Sequence, residues 1–258
     1  MASVWPILLN WYHGLPGTSA LIIILAAFIM GGVIKGTLGV GLPLFAVPLL
    51  SLVLPAPTAI ALMAVPVLFS NLWQAIDSGK AVTHALRFKP LLITLFISTS
   101  LTVPLALSLS VRALNILLAS AVLIAVFLMA WQPRLEFSPR QEKRVGGVIG
   151  LLAGIMSGVS SMAGPLIITF LMALRLPREV FIGSISVIYL FSMVPLYAAL
   201  AYHGRLGPVE AGLSLFGLVP MFLGMRLGKA MRHHLSETAF RRILFWFLGF
   251  LAILLLFK

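Results

Sequence analysis

The chain has no cysteine, which excludes disulfides, thiolate metal sites and thiol catalysis. Acidic residues are also scarce: six Asp and Glu stand against 18 Lys and Arg, a net charge of +12. Only 9% of the 258 residues are charged, whereas 61% are hydrophobic. No soluble domain of this size can hide that much apolar surface, so the chain reads as a polytopic membrane protein without a second, soluble domain. In a soluble protein the positive charge would point to nucleic acid. Here it falls in short loops, where it orients the chain, and no nucleic-acid partner is expected. No basic region precedes the first apolar stretch, so no cleaved signal peptide is expected. A phosphate-binding Gly-rich loop with its lysine is missing, which leaves an ion gradient, the substrate gradient or another protein as energy source. The five histidines all lie near the ends of apolar segments. None is paired mid-membrane with a carboxylate, so neither a metal nor any other cofactor is expected.

What the chain does have is the same passage twice. Gly32–Ser70 can be laid on Gly154–Ser192 at a constant offset of 122 residues. Gly32/Gly154, Gly36/Gly158, Pro43/Pro165, Pro55/Pro177 and Ser70/Ser192 then coincide, together with several aliphatic positions. Each half holds five apolar segments. In the first half they run over about Thr18–Lys35, Val40–Leu54, Thr58–Ile76, Pro90–Leu109 and Arg112–Trp131. In the second they run over about Val145–Ser157, Ala163–Leu174, Glu179–Tyr202, Pro208–Met225 and Thr238–Phe257. The expected organisation is a transmembrane repeat over 1–131, a basic cytoplasmic linker over 132–144 and a second repeat over 145–258, together one membrane domain.

Alternate loops hold 15 of the 18 basic residues, counting Lys35 with its nominal side. The positive-inside rule then puts both termini outside the cytoplasm. Five segments is an odd number, so the two halves must have opposite orientations: an all-α fold of two inverted repeats. Thirteen helical residues, as in Val145–Ser157, reach only ~20 Å, against a hydrocarbon core of about 30 Å. The first two segments of each repeat are therefore expected to form a broken or re-entrant hairpin, with tips at Gly36–Gly41 and Gly158–Gly164. The first of these is less constrained, because its leading arm is long enough to span.

The run Gly32-x-x-x-Gly36-Thr37-Leu38-Gly39-Val40-Gly41-Leu42-Pro43, followed by Ala46-Val47-Pro48-Leu49-Leu50, resembles the TauE/SafE sulfite exporter family. Gly150-Leu151-Leu152-Ala153-Gly154-Ile155-Met156-Ser157-Gly158 and Gly164-Pro165 are similar to that family's second Gly/Pro motif. The resemblance covers nearly the whole chain. It implies transport of small sulfur-containing anions, such as sulfite, thiosulfate or an organosulfonate, across the bacterial inner membrane. Two features depart from the family pattern. Lys35 stands where members commonly carry an apolar or small residue, and Val159–Gly164 lacks the usual triple-Gly character.

A small anion in a membrane needs N–H donors and hydroxyls, with a cation as a further candidate partner. Hairpin tips offer backbone N–H groups and helix N-termini, both of which favour negative charge. The substrate-binding candidates are Thr37, Gly39, Val40 and Gly41 at the first tip, and Ser160, Ser161, Ala163 and Gly164 at the second. Small residues at these positions also permit tight helix packing, which is the competing explanation. Lys35 is the basic residue embedded in apolar sequence, and either neutralises a bound anion or snorkels to the interface. Ser70, Asn71 and Gln74 lie roughly on one helix face, with Asp77 beyond them as an interfacial or proton-coupling carboxylate. Ser192 is a candidate as the repeat mate of Ser70.

The expected function is a secondary transporter working by alternating access, with a small anionic substrate, membrane lipid around it and a proton as a candidate coupling ion. An anion channel or a non-transporting membrane scaffold is the alternative. No enzyme is expected: Met156-Ser157-Gly158 lacks the glycine two before the serine of an intramembrane serine protease, and no histidine is embedded.

Overall fold

The computed structural model describes residues 18–38, 41–131, 138–231 and 237–257. Among these residues every regular element is helical. In the first half α1 (Thr18–Leu38), α2 (Leu42–Ser51), α3 (Ala56–Ala61) and α4 (Ala64–Asp77) are followed by the short α5 (Ala81–Ala85), α6 (Lys89–Leu107) and α7 (Val111–Trp131). The second half comprises α8 (Pro139–Ser160), α9 (Gly164–Ala173), α10 (Arg178–Tyr202), α11 (Pro208–Phe216), α12 (Leu218–Met231) and α13 (Glu237–Leu256). Five helical stretches are long and apolar enough to cross a membrane among the described residues: Ala56–Asp77, Ala81–Leu107, Val111–Leu128, Glu179–Tyr202 and Pro208–Met231.

The repeat is written into the helix boundaries. α2 and α9 are each ten residues long and stand 122 residues apart at both ends. Each starts with proline in its first turn, Pro43 or Pro165, where the missing N–H is not needed. The packing is reciprocal as well. α1 lies along α12 of the other half, and α8 lies along α6. The repeat-related α4 and α10 pack on each other, as do α7 and α13.

Glycine makes the two cross-repeat pairings possible. A Cβ at Gly32 or Gly36 would strike the backbone carbonyls of Met221 or Met225, and one at Gly224 or Gly228 would strike those of Ile29 or Val33. α1 and α12 thus touch backbone to backbone through glycines four apart on both helices. In the other pairing, Gly150, Gly154 and Gly158 meet Leu91, Thr94, Ser98 and Thr102 of α6. Thr94 Oγ1 donates across this contact to the Gly147 carbonyl at 2.8 Å. Water cannot drive helices together inside a bilayer, so close van der Waals approach does much of that work. The repeated Gly32/Gly154 and Gly36/Gly158 are therefore packing residues.

Three segments differ from the sequence expectation. Val145–Ser157 is the middle of a 22-residue helix, α8. That helix starts inside the stretch read as linker, because Ser138, Pro139 and Gln141 form a capping box: Gln141 N donates to Ser138 Oγ at 3.4 Å and Ser138 N to Gln141 Oε1 at 2.9 Å. The third segment of the first half is split into α3 and α4. Pro66 cannot donate to the Leu62 carbonyl, which weakens the helix there. The ninth segment is split at Gly217, where the ring of Phe28 takes the space of a side chain.

Large apolar side chains remain exposed along the outer helix faces, including Leu101 and Leu105 on α6 and Trp246 and Phe250 on α13. They suit a lipid-facing surface.

Candidate functional site

The tips of the two repeats line one cavity. Gly41, Leu42, Pro43 and Leu44 come from the start of α2, and Ser161, Met162, Gly164, Pro165 and Ile168 from the start of α9. Ile34 and Lys35 are contributed by α1, Val67 and Asn71 by α4, Tyr189 and Met193 by α10. The cavity encloses about 590 Å³ including its opening. Repeat mates line it together: Leu42 and Gly164, Pro43 and Pro165, Val67 and Tyr189, Asn71 and Met193 each stand 122 residues apart. The wall is mostly apolar. Lys35, Asn71, Ser161 and Tyr189 supply its polar side chains.

Backbone turns bring these groups together. Gly41, before α2, has φ +102°, a conformation glycine adopts without strain. Ser161 ends α8 in the left-handed region at φ +60°, and its Oγ donates to Met193 Sδ at 3.5 Å. Gly164 leaves room for Tyr189: a Cβ there would stand 2.7 Å from the tyrosine hydroxyl.

Lys35 is only 4% exposed. Its Nζ donates to Ser70 Oγ at 2.8 Å and to Asn71 Oδ1 at 3.4 Å. Asn71 is oriented for this, because its Nδ2 donates to the Val67 carbonyl at 2.8 Å and leaves Oδ1 toward the amine. Both acceptors are neutral. The described residues contain one ion pair, Arg87 with Glu142 at 2.6 Å, and it lies elsewhere. An ammonium has three donors, and no third acceptor of Lys35 occurs among the described residues. What results is a buried amine in a cavity wall with no carboxylate opposite it among the described residues.

The remaining candidates separate. Lys35, Gly41, Asn71, Ser161 and Gly164 line the cavity. Ser70 is buried behind the wall and holds Lys35. Thr37 is turned onto its own helix, with Oγ1 2.9 Å from the carbonyls of Val33 and Ile34. Ser160 Oγ likewise donates to the Met156 carbonyl at 2.7 Å. Ala163 is packed in the core, and Gln74 is half-buried outside the cavity wall. Ser192 donates to Ser157 at 2.6 Å, away from the cavity, and so does not share a site with Lys35. Asp77 is exposed at the end of α4. Gly39 and Val40 lie outside the described residues. Tyr189, one of the polar residues along the helix equivalent to α4, lines the cavity as well. Met193 was not among the candidates; the 122-residue map, which pairs it with Asn71, was the signal that could have found it. No group of three or more metal-ligating side chains gathers among the described residues.

The sequence family described as Sulfite exporter TauE/SafE matches residues 23–255. The chain belongs to the TauE/SafE family. No curated protein and no solved structure matches it. Membership makes this chain a multi-pass membrane protein of a transporter family rather than an enzyme family, with a small anion as the kind of substrate. The match spans both repeats, so the cavity between their tips is built from family sequence on both sides.

Proposed function

We propose that the chain is a secondary transporter of small sulfur-containing anions, such as sulfite, thiosulfate or an organosulfonate, across the bacterial inner membrane. The observation that carries this reading is Lys35, a buried amine in the wall of a cavity formed by both tips, with no counter-charge among the described residues. An anion in that cavity meets the Lys35 amine, the Tyr189 hydroxyl, and the N-terminal turns of α2 and α9, where helix ends favour negative charge. The Asn71 amide and Ser70 hold the amine in place.

The two halves act as inverted repeats, 1–131 and 145–258, joined by basic cytoplasmic sequence, with both termini outside the cytoplasm. The 15-to-3 division of Lys and Arg supports this orientation. In opposite orientations the two tips would lie on opposite faces of the membrane if every helix spanned it fully. Their shared cavity supports re-entrant hairpins that meet at depth. α2 and α9, ten residues and ~15 Å each, cover about half of the hydrocarbon thickness, as such arms should. Alternating access then moves one part of the pair against the other around the cavity.

Counterflow in proteoliposomes tests the reading, with sulfite, thiosulfate, sulfoacetate, taurine, sulfate and acetate as the panel. A carrier exchanges labelled for unlabelled sulfur anion. Flux without acceleration by internal substrate would instead describe a channel, and no flux at all a scaffold.

A further inference from the structure

We infer that Lys35 carries a proton together with the anion, so that the protein couples anion movement to proton movement in the same direction. This inference rests on the transport reading above. Its ground is the set of groups around the amine. Ser70 and Asn71 are neutral acceptors, and the cavity wall is otherwise largely apolar. An ammonium buried without a counter-charge is costly, and an entering anion removes that cost.

No acid faces Lys35 among the described residues. The chain has six acidic residues. Asp77 and Glu179 are exposed at helix ends, Glu142 is bound by Arg87, and Glu210 accepts from Gly207 N at 3.0 Å. The side chains of Glu136 and Glu237 lie outside the described residues. Among the elements that pack on α1 or share the cavity wall with Lys35, the helices α2 and α9 have no ionisable side chain. α12 carries Arg226 and Lys229, both exposed. α4 ends in Asp77, and α10 brings Tyr189 into the cavity wall. The substrate itself is then the missing counter-charge.

The step balances simply. With the cavity empty, Lys35 is a neutral amine whose lone pair is free. A proton and an anion enter from one side; the nitrogen lone pair takes the proton, and the ammonium pairs with the anion. On the other side the anion leaves, the ammonium loses its proton to water, and the neutral amine returns. One proton crosses with each anion, and for a monovalent anion no net charge moves.

The test uses the full-length protein in liposomes with a pH dye inside and the voltage clamped by potassium and valinomycin. Isethionate and thiosulfate serve as probes, because both are anions of strong acids and bring no proton of their own near neutral pH. Anion entry is expected to acidify the lumen. A gradient of one pH unit, alkaline inside, is expected to drive up to about tenfold accumulation. In Lys35→Arg the cation is permanent, so accumulation under the gradient should fall to about onefold. Should this variant fail to fold, the wild-type lumen pH decides by itself. Entry of either probe with no change of lumen pH overturns the coupling and leaves the transport reading standing. If neither probe nor any anion of the counterflow panel enters, both fall together.

Discussion

Lys35 and Ser157 occupy corresponding positions of the two repeats, and each is hydrogen-bonded to the serine 35 residues further along. Lys35 Nζ donates to Ser70 at 2.8 Å, and Ser157 receives from Ser192 at 2.6 Å. The same local geometry therefore serves two purposes. In the second repeat it joins α8 to α10 by a pair of hydroxyls in a closed core. In the first, lysine replaces serine, the side chain is longer, and its amine reaches the cavity wall. One departure from the repeat gives one half the cation.

Replacing Lys35 by methionine should abolish the charge with little change in volume. Loss of a hydrogen bond to a charged group costs roughly 1.5–3 kcal/mol, which corresponds to an apparent anion affinity about 10- to 100-fold weaker. The variant should insert normally and melt in detergent at an equal or higher temperature, since the buried amine is costly. Normal transport by Lys35→Met would remove the charged site from the reading.

The two serine pairs should behave differently. Ser70→Ala leaves Lys35 without its shorter bond and should weaken anion uptake by about one hydrogen bond, ~1 kcal/mol, or about fivefold. Ser192→Ala should cost a similar ~1 kcal/mol of stability while uptake affinity stays at the wild-type value. Equal effects of both variants on affinity would mean that the Ser157–Ser192 pair belongs to the site after all.

Tyr189 and Gly164 form a steric pair. Gly164→Ala puts a methyl group 2.7 Å from the tyrosine hydroxyl and should reduce transport by crowding the cavity. Tyr189→Phe removes that oxygen, leaving the ring carbon at 3.5 Å as the nearest neighbour. The double variant should therefore regain much of the transport lost by Gly164→Ala. Strict additivity of the two losses would speak against direct contact.

Gly32→Val and Gly228→Val should be severely destabilising, because the new side chain meets backbone rather than a movable side chain. Overpacking of this kind costs about 1–3 kcal/mol or more. Thermal unfolding in detergent should show it. Gly79→Ala is the contrast: nothing lies within 4 Å of a Cβ there, and only its positive φ of 72° resists substitution.

Reporter fusions at Met1 and Lys258 should both report the non-cytoplasmic side. A cytoplasmic signal from either end would break the odd count of five segments per half on which the inverted arrangement depends.

Sequence alone was enough for the membrane class and for the 122-residue offset between the halves. These depend on composition and on local spacing, and both survive without knowledge of which helices touch. The offset of 122 residues also marked where the tips would be, because glycine and proline impose local backbone geometry wherever they fall. Tertiary structure decided what each small residue is for. Gly36 and Gly158 belong to helix contacts and Gly164 to the cavity, though all three occur in similar Gly-rich runs. Ser70 holds a lysine, whereas its mate Ser192 holds only another serine. The length of α8 was hidden because its first turns are charged, and hydropathy does not register a helix that continues out of the apolar region. Whether a side chain faces a cavity, a neighbouring helix or lipid depends on helix rotation and on partners far away in the chain, and neither is encoded in local periodicity.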